Sequence, residues 1–227
     1  MNWIMALLEA SLRESLKNTA SSYRQQLLEN DDAMAYWTNR GLSRRTIDRF
    51  GLGFVAEPAV PDDESFVGRL VIPYVAKSEV HGNSVVGFKF RAFKSNGPKY
   101  LYRTGLNPKL FNTAALQIPS RIICIAEGEV DAMSADQAGI PCVGIPGATY
   151  WEPFYSRLFS EYREVVLLQD NDPPNKNGKP TGGELMADLW TKKLKGIANL
   201  RVIQMAEDVN ADMVAFGEDY LRELIGI

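Results

Sequence analysis

Cysteine and histidine are almost missing from this chain: 227 residues contain two cysteines and one histidine. Cys124 and Cys142 both fall inside apolar runs, which leaves no disulfide framework and no four-ligand zinc site. His81 sits in a turn-like stretch, Glu79 to Asn83, so Ser-His-Asp and Cys-His chemistry is disfavoured. A continuous apolar run of about 18 residues, long enough for a membrane span, is also lacking. The opening MNWIMALLEASL has neither a basic leader nor a clear cleavage site. These absences predict a protein of a reducing cytoplasm, neither secreted nor membrane-bound. The string Gly178-Lys179-Pro180-Thr181 lacks the upstream glycine of a phosphate-binding loop and reads as ordinary loop.

Positive charge is scarce overall, with 25 basic against 28 acidic residues, yet it is unevenly placed. Residues 66–112 carry 8 basic and 1 acidic side chain, whereas residues 121–227 carry 10 and 17. A central segment near +7 therefore precedes a C-terminal half near −7. That separation is expected where one lobe holds a nucleic-acid backbone and the other holds metal ions.

Apolar spacing divides the chain into three parts. Residues 1–22 place Trp3, Ile4, Leu7, Leu8, Leu12 and Leu16 at helical intervals, predicting an amphipathic helix in need of a partner surface. Residues 23–118 begin with a helical region that ends near Arg40-Gly41, after which Ser43 caps a further short helix. They continue into two strands, RLVIPYVA and SVVGFKFRAF. In the second of these, Lys89 and Arg91 share one face and Phe88 and Phe90 the other, so the phenylalanines are expected to pack inward while the cations point out. Residues 119–227 alternate strands near 121–126, 141–145, 164–169 and 200–204 with helices near 129–138, 151–162, 182–196 and 211–225. This pattern predicts an α/β lobe with a mostly parallel sheet of about four strands, preceded by a basic α+β lobe.

The chemistry is carried by acids at strand ends. Glu127 and Asp131 follow RIICIA, Asp170 and Asp172 follow EVVLLQ, and Asp208 follows the fourth strand. In parallel sheets the functional loops lie at the carboxyl ends of the strands. Oxygen-only donors without His or Cys suit a hard divalent cation, Mg²⁺ with Mn²⁺ as substitute, rather than zinc. Glu127 is placed to act as general base, and Asp131, in the first turn of a helix, to structure the site.

At these residues the chain resembles the TOPRIM domain shared by DnaG-type primases, type IA and II topoisomerases and several nucleases. The matching elements are Glu127-Gly128-Glu129-Val130-Asp131, Gly144-Ile145-Pro146-Gly147 and Asp170-Asn171-Asp172, with Glu207-Asp208-Val209-Asn210-Ala211-Asp212 similar to the acidic element that closes the metal site. Upstream, Arg40-Gly41-Leu42-Ser43, Arg69-Leu70-Val71-Ile72-Pro73, Gly87-Phe88-Lys89-Phe90-Arg91 and Pro98-Lys99-Tyr100-Leu101 are similar to segments of the DnaG-type, phage-like primase catalytic core. One departure stands out: Pro173 to Gly183 forms a polar loop longer than the short turn usual after the paired aspartates.

The resemblance implies a DNA primase core that makes short RNA primers on single-stranded DNA from ribonucleoside triphosphates. It implies catalytic Glu127, Asp170 and Asp172; metal ligation by these three with Asp208 and Asp212; and structural roles for Gly128, Asp131 and Gly147. Arg69, Arg91 and Lys99 are carried over as nucleic-acid or nucleotide contacts, with Lys89 added from strand geometry. No stretch resembles a zinc-binding or helicase-binding domain, so a separate zinc-binding module and a replicative helicase are the expected partners, in the cytoplasm of a bacterial host. A TOPRIM nuclease and a non-catalytic nucleic-acid-binding module are the alternatives.

Overall fold

The computed structural model describes residues 9–78, 82–94, 97–103, 109–175 and 177–227. His81 and the first eight residues of the expected N-terminal helix lie outside that set. The chain divides into two compact units, Met1–Asn39 with Arg44–Asn107 and Arg40–Ser43 with Pro108–Ile227.

The first unit holds helices α1 (Ala10–Leu28), α2 (Asp31–Asn39) and α3 (Arg44–Arg49) and strands β1 (Gly53–Phe54), β2 (Arg69–Ser78), β3 (Gly82–Ala92) and β4 (Tyr100–Tyr102). Helix α1 runs without a break across residue 22, where the sequence reading places a boundary. It contains no glycine or proline, and Leu16, Thr19, Tyr23 and Leu27 form one continuous buried stripe at helical spacing. The strands form an antiparallel sheet in the order β1-β2-β3-β4. Leu16 and Tyr23 of α1 pack on its inner face with Val71, Phe88 and Phe90, and Phe66 stacks on Phe90 at 3.8 Å between ring centres.

Beneath this packing lies a buried ionic anchor. Asp63 is 0 % exposed, accepts a 2.5 Å hydrogen bond from the Tyr23 hydroxyl and is gripped by both Nε and Nη2 of Arg103. A buried carboxylate is tolerated only with such compensation.

The second unit is built on β5 (Ile122–Ala126), β6 (Cys142–Gly144), β7 (Glu164–Gln169) and β8 (Leu200–Gln204), all parallel and ordered β6-β5-β7-β8. Helices α4 (Glu129–Gln137), α5 (Tyr155–Phe159), α6 (Gly182–Leu194), α7 (Val209–Phe216) and α8 (Glu218–Ile225) flank it. One sheet face packs Ile123, Ile125, Val165 and Leu167 against Tyr155, Phe159, Met186 and Trp190 from α5 and α6. Helix α4 packs on β5 and β6, with α7 and α8 against it. Coverage by helices accounts for the continuous apolar runs of β5 and β7, since alternation is needed only where one face meets water.

Two helices differ from expectation. The expected 151–162 helix shrinks to the five residues of α5, because Pro153 disfavours helical backbone at Glu152. The expected 211–225 helix splits into α7 and α8 at Gly217, whose φ of +90° lies outside the helical region. Among the described residues no helix is long and apolar enough to cross a membrane.

Candidate active site

The chain's path through the second sheet creates a crevice. From β5 the connection passes through α4 to β6 on one side, and from β7 through α6 to β8 on the other. The order therefore reverses between β5 and β7, and ligands in open α/β sheets bind at such a switch point, beyond the carboxyl ends of the strands. Glu127 is the first residue after β5 and Asp170 the first after β7. The Asp170 backbone N–H donates to Glu127 Oε1 at 3.4 Å, joining the two strand ends. The start of α6 comes close to both: a Cβ on Gly183 would collide with the Asp170 carbonyl oxygen and lie 2.9 Å from Glu127 Oε1, so only glycine fits there.

Around this pair the structure gathers further carboxylates. Asp170 is pushed up to about 9, by burial first and then by the charges of Asp131, Glu127, Asp208 and Asp172. Glu127 is pushed up to about 7, by burial against the opposing hydrogen bond from Asp170 N–H, with Asp172 and Asp131 adding to the rise. Asp131 reaches about 6 through burial and the Asp208 charge, while the Asn210 N–H it accepts at 3.2 Å pulls the other way. Buried Asp170 Oδ1 accepts no hydrogen bond.

The expected ligands divide by what else they do. Asp208 is the N-cap of α7 and accepts from Ala211 N–H at 2.6 Å, yet its charge still reaches Asp170 and Asp131. Asp212 is buried, and its oxygens accept from Ala206 N–H at 2.8 Å and Glu207 N–H at 3.1 Å. Its visible work is to shape the turn before α7. Gly128 is the N-cap of α4, and a Cβ there would stand 2.8 Å from Asp131 Oδ2 and displace that carboxylate. At Gly147 nothing stands where a Cβ would go, so sterics do not require glycine there.

The donor set is oxygen-only, as a hard divalent cation requires, and the cluster's unrelieved repulsion and orphaned oxygen are what such a cation would relieve. As they stand, no three His, Cys, Asp or Glu side chains among the described residues are close enough together to enclose a metal ion. The chemistry of the donors fits; the enclosure is incomplete.

The basic residues of the first unit are not arranged as the alternating pattern suggested. Lys89 is 5 % exposed, Arg91 6 % and Arg69 7 %, so β3 is buried on both faces instead of presenting its cations to water. A collar of aromatics accounts for the difference. Lys89 Nζ lies 4.1 Å from the centre of the Tyr100 ring and 5.4 Å from that of Tyr102, its partner across the β3–β4 ladder. Arg91 donates through Nε to the Tyr36 hydroxyl and through Nη1 to the Tyr100 hydroxyl, with its guanidinium over both rings. Arg69 Nη1 donates to the Pro98 carbonyl at 2.9 Å. Lys99 alone of the four is exposed, 5.6 Å over the Tyr100 ring. The phenols on Arg91 and the carbonyl on Arg69 orient these two guanidiniums without bringing a negative charge to them.

Sequence reasoning gave no role to Asn210, which proves to be a hub. Its side chain donates to the Arg40 carbonyl at 2.7 Å and to Ser134 Oγ at 2.9 Å, while its backbone holds Asp131. Tyr36, Tyr100 and Tyr102 were also passed over. Their signal was present, since Tyr100 and Tyr102 alternate on one face of a short strand opposite Lys89 and Arg91.

No protein-family model matches the chain. The Aquifex aeolicus primase structure, comprising zinc-binding and RNA polymerase domains, superposes with a TM-score of 0.76 at 20 % identity, covering 100 % of this chain and 63 % of that one. The DnaG primase catalytic domain bound to ssDNA gives 0.72 at 19 %, covering 95 % and 78 %. The molecule thus has the fold of the DnaG primase catalytic core. The DNA primase of Thermotoga maritima is 25 % identical over 192 residues, 69 % of this chain, which spans only 33 % of that protein's length. The Gene 57 protein of Mycobacterium phage D29 is 39 % identical over 160 residues, 70 % of this chain and 98 % of that protein, and the chain belongs to its family.

Proposed function

We propose that this chain is the catalytic core of a DNA primase, synthesising short RNA primers on single-stranded DNA by metal-dependent nucleotidyl transfer. The observation that carries the reading is the carboxylate cluster at the β5–β7 switch point of a DnaG-core fold, with Asp170 pushed upward by burial and then by four neighbouring acids. On this reading the second unit is a TOPRIM domain. Glu127, Asp170 and Asp172 would hold Mg²⁺ or Mn²⁺, with Asp208 and Asp212 in support. Bound there, the metal would supply charge neutralisation at the phosphates and acidify the attacking hydroxyl.

The residues' own work follows from their environments. Glu127, at the end of β5, would help accept the proton of a primer 3′-hydroxyl as that oxygen bonds the α-phosphorus of an incoming ribonucleotide and pyrophosphate departs. Asp131, fixed by the Asn210 backbone, keeps α4 and α7 in register with the cluster. Arg69, Lys89, Arg91 and Lys99 hold template or nucleotide phosphates, a role favoured at Arg91 by described partners that are uncharged phenols. A zinc-binding module and a replicative helicase are the proposed partners, in the cytoplasm of a bacterial host.

Incubation with a single-stranded template, labelled ribonucleotides and Mg²⁺ or Mn²⁺, with and without those partners, tests the reading. Template-dependent RNA products support it. Metal-dependent cleavage of labelled DNA without added nucleotides, and no RNA product, would make the protein a nuclease; no chemistry on either substrate would make it a binding module.

A further inference from the structure

Beside the acids, the second unit holds a cavity of about 630 Å³ whose walls are the long loop after Asp172, the start of α6 and the end of β8. Ligand pockets commonly run from roughly 300 to 1,000 Å³, so the volume suits a nucleotide-sized guest. Asp170 and Asp172 line its inner end, which makes it continuous with the carboxylate cluster.

The walls are braced before any ligand arrives. Asn175 Nδ2 donates to the carbonyls of Lys179 and Pro180 at 3.0 and 2.8 Å, closing the loop on itself. Asn171 Nδ2 donates to the Ala206 carbonyl at 3.1 Å, and Gln204 Nε2 donates to Asn171 Oδ1 at 2.9 Å, tying the loop's root to the end of β8. A preformed cavity binds with less ordering cost than one that must assemble.

Its chemistry selects which part of a guest enters. Among the described residues lining it, Lys179 is the one cation, against Asp170, Asp172, Glu184 and Asp188. The α6 N-terminus, otherwise attractive to phosphate, is occupied by its own capping box: Thr181 Oγ1 accepts from Glu184 N–H and Glu184 Oε2 accepts from Thr181 N–H. Phosphate is therefore disfavoured in the outer part of the cavity, beside Glu184 and Asp188 and away from the acids that would hold metal. Pro174, Pro180 and Leu185 offer apolar surface for a flat ring, and Asp188 offers a carboxylate of the kind that accepts from ribose hydroxyls. One Asp188 oxygen accepts from Lys192 at 2.6 Å in an exposed i,i+4 pair, which leaves its other oxygen for a hydroxyl.

We infer that this cavity receives the nucleoside moiety, base and ribose, of a ribonucleotide whose phosphates lie at the Glu127, Asp170 and Asp172 cluster. The inference rests on the polymerase reading and adds to it a specificity pocket formed by the loop that departs from the usual short turn.

Two substitutions at solvent-facing positions of α6 test it in the full chain. Leu185 is 37 % exposed, so Leu185→Trp fills the cavity without disturbing the core; Asp188→Ala removes the sugar acceptor. Calorimetric titration with ATP and dATP in Mg²⁺, alongside single-stranded DNA binding and KM for ATP in primer synthesis, reads the outcome. Leu185→Trp is expected to weaken ATP binding and raise KM about tenfold, equivalent to ~1.4 kcal/mol, with DNA affinity unchanged. Asp188→Ala is expected to remove the preference for ATP over dATP. Wild-type ATP binding and incorporation matched within about twofold by both variants would overturn the pocket while leaving the polymerase reading standing. Absence of nucleotide binding and incorporation in the wild type would overturn both.

Discussion

Replacing Asp170 by asparagine should make the metal-free protein more stable, against the usual expectation for a change at a buried polar residue. The Asp170 carboxyl titrates near 9 when folded, against an ordinary value of 3.8. A carboxyl with a raised folded pKa binds its proton more tightly in the native state. Stability is therefore spared below about pH 4 and lost progressively as pH climbs from there toward 9. At pH 7 the full interval above 3.8 corresponds to roughly 4 kcal/mol, and solvent access at this partly open site reduces that to about 2 kcal/mol. Asp170→Asn keeps the shape and removes the titration, so in EDTA at pH 7 its melting temperature should rise by about 4–8 °C. At pH 4.5 the gain should fall below about 1 kcal/mol. Added Mg²⁺ should then stabilise the wild type much more than the variant. Thermal unfolding followed by circular dichroism from pH 4.5 to 8.5, with and without metal, measures all three. A variant no more stable than wild type in EDTA at pH 7 would refute the account of the cluster as mutually repelling acids.

Other changes have expected sizes. Arg103→Met strands Asp63, which is 0 % exposed, and should cost about 3–5 kcal/mol in urea unfolding; the paired change with Asp63→Leu should cost distinctly less. Thr181→Ala dismantles the capping box of α6 and should cost about 1 kcal/mol by the same measure. If Lys89 and Arg91 hold phosphates, Lys89→Ala and Arg91→Ala should each weaken single-stranded DNA binding and reduce the slope of log affinity against log salt by roughly 0.7, read by fluorescence anisotropy at several salt concentrations.

The parallel sheet was legible in the sequence because its strands are short and rich in apolar residues, and two of them, β5 and β7, run directly into an acid, a pattern that survives without knowledge of tertiary contacts. Glu127 and Asp170 could be placed at strand ends for the same reason. What resisted was set by packing across the sequence. Strand β3 alternates Phe and cation as a one-sided strand would, and only the tyrosines of α2 and β4, up to 55 residues away, show that its polar face is buried too. Asp212 reads as one more acid in a metal-site motif, and the sequence does not reveal that its oxygens also accept from the backbone of its own turn. Asn210 reads as a spacer between two aspartates, yet its partners lie 170 and 76 residues away. The Thr181-Gly182-Gly183-Glu184 capping box is legible from its spacing alone.

Template-dependent incorporation of labelled ribonucleotides by the wild-type chain, beside Asp170→Ala and Glu127→Gln, tests the central claim most directly. The account predicts metal-dependent RNA products from the wild type, and their loss in both variants with fold and single-stranded DNA binding retained. Undiminished synthesis by either variant would contradict it.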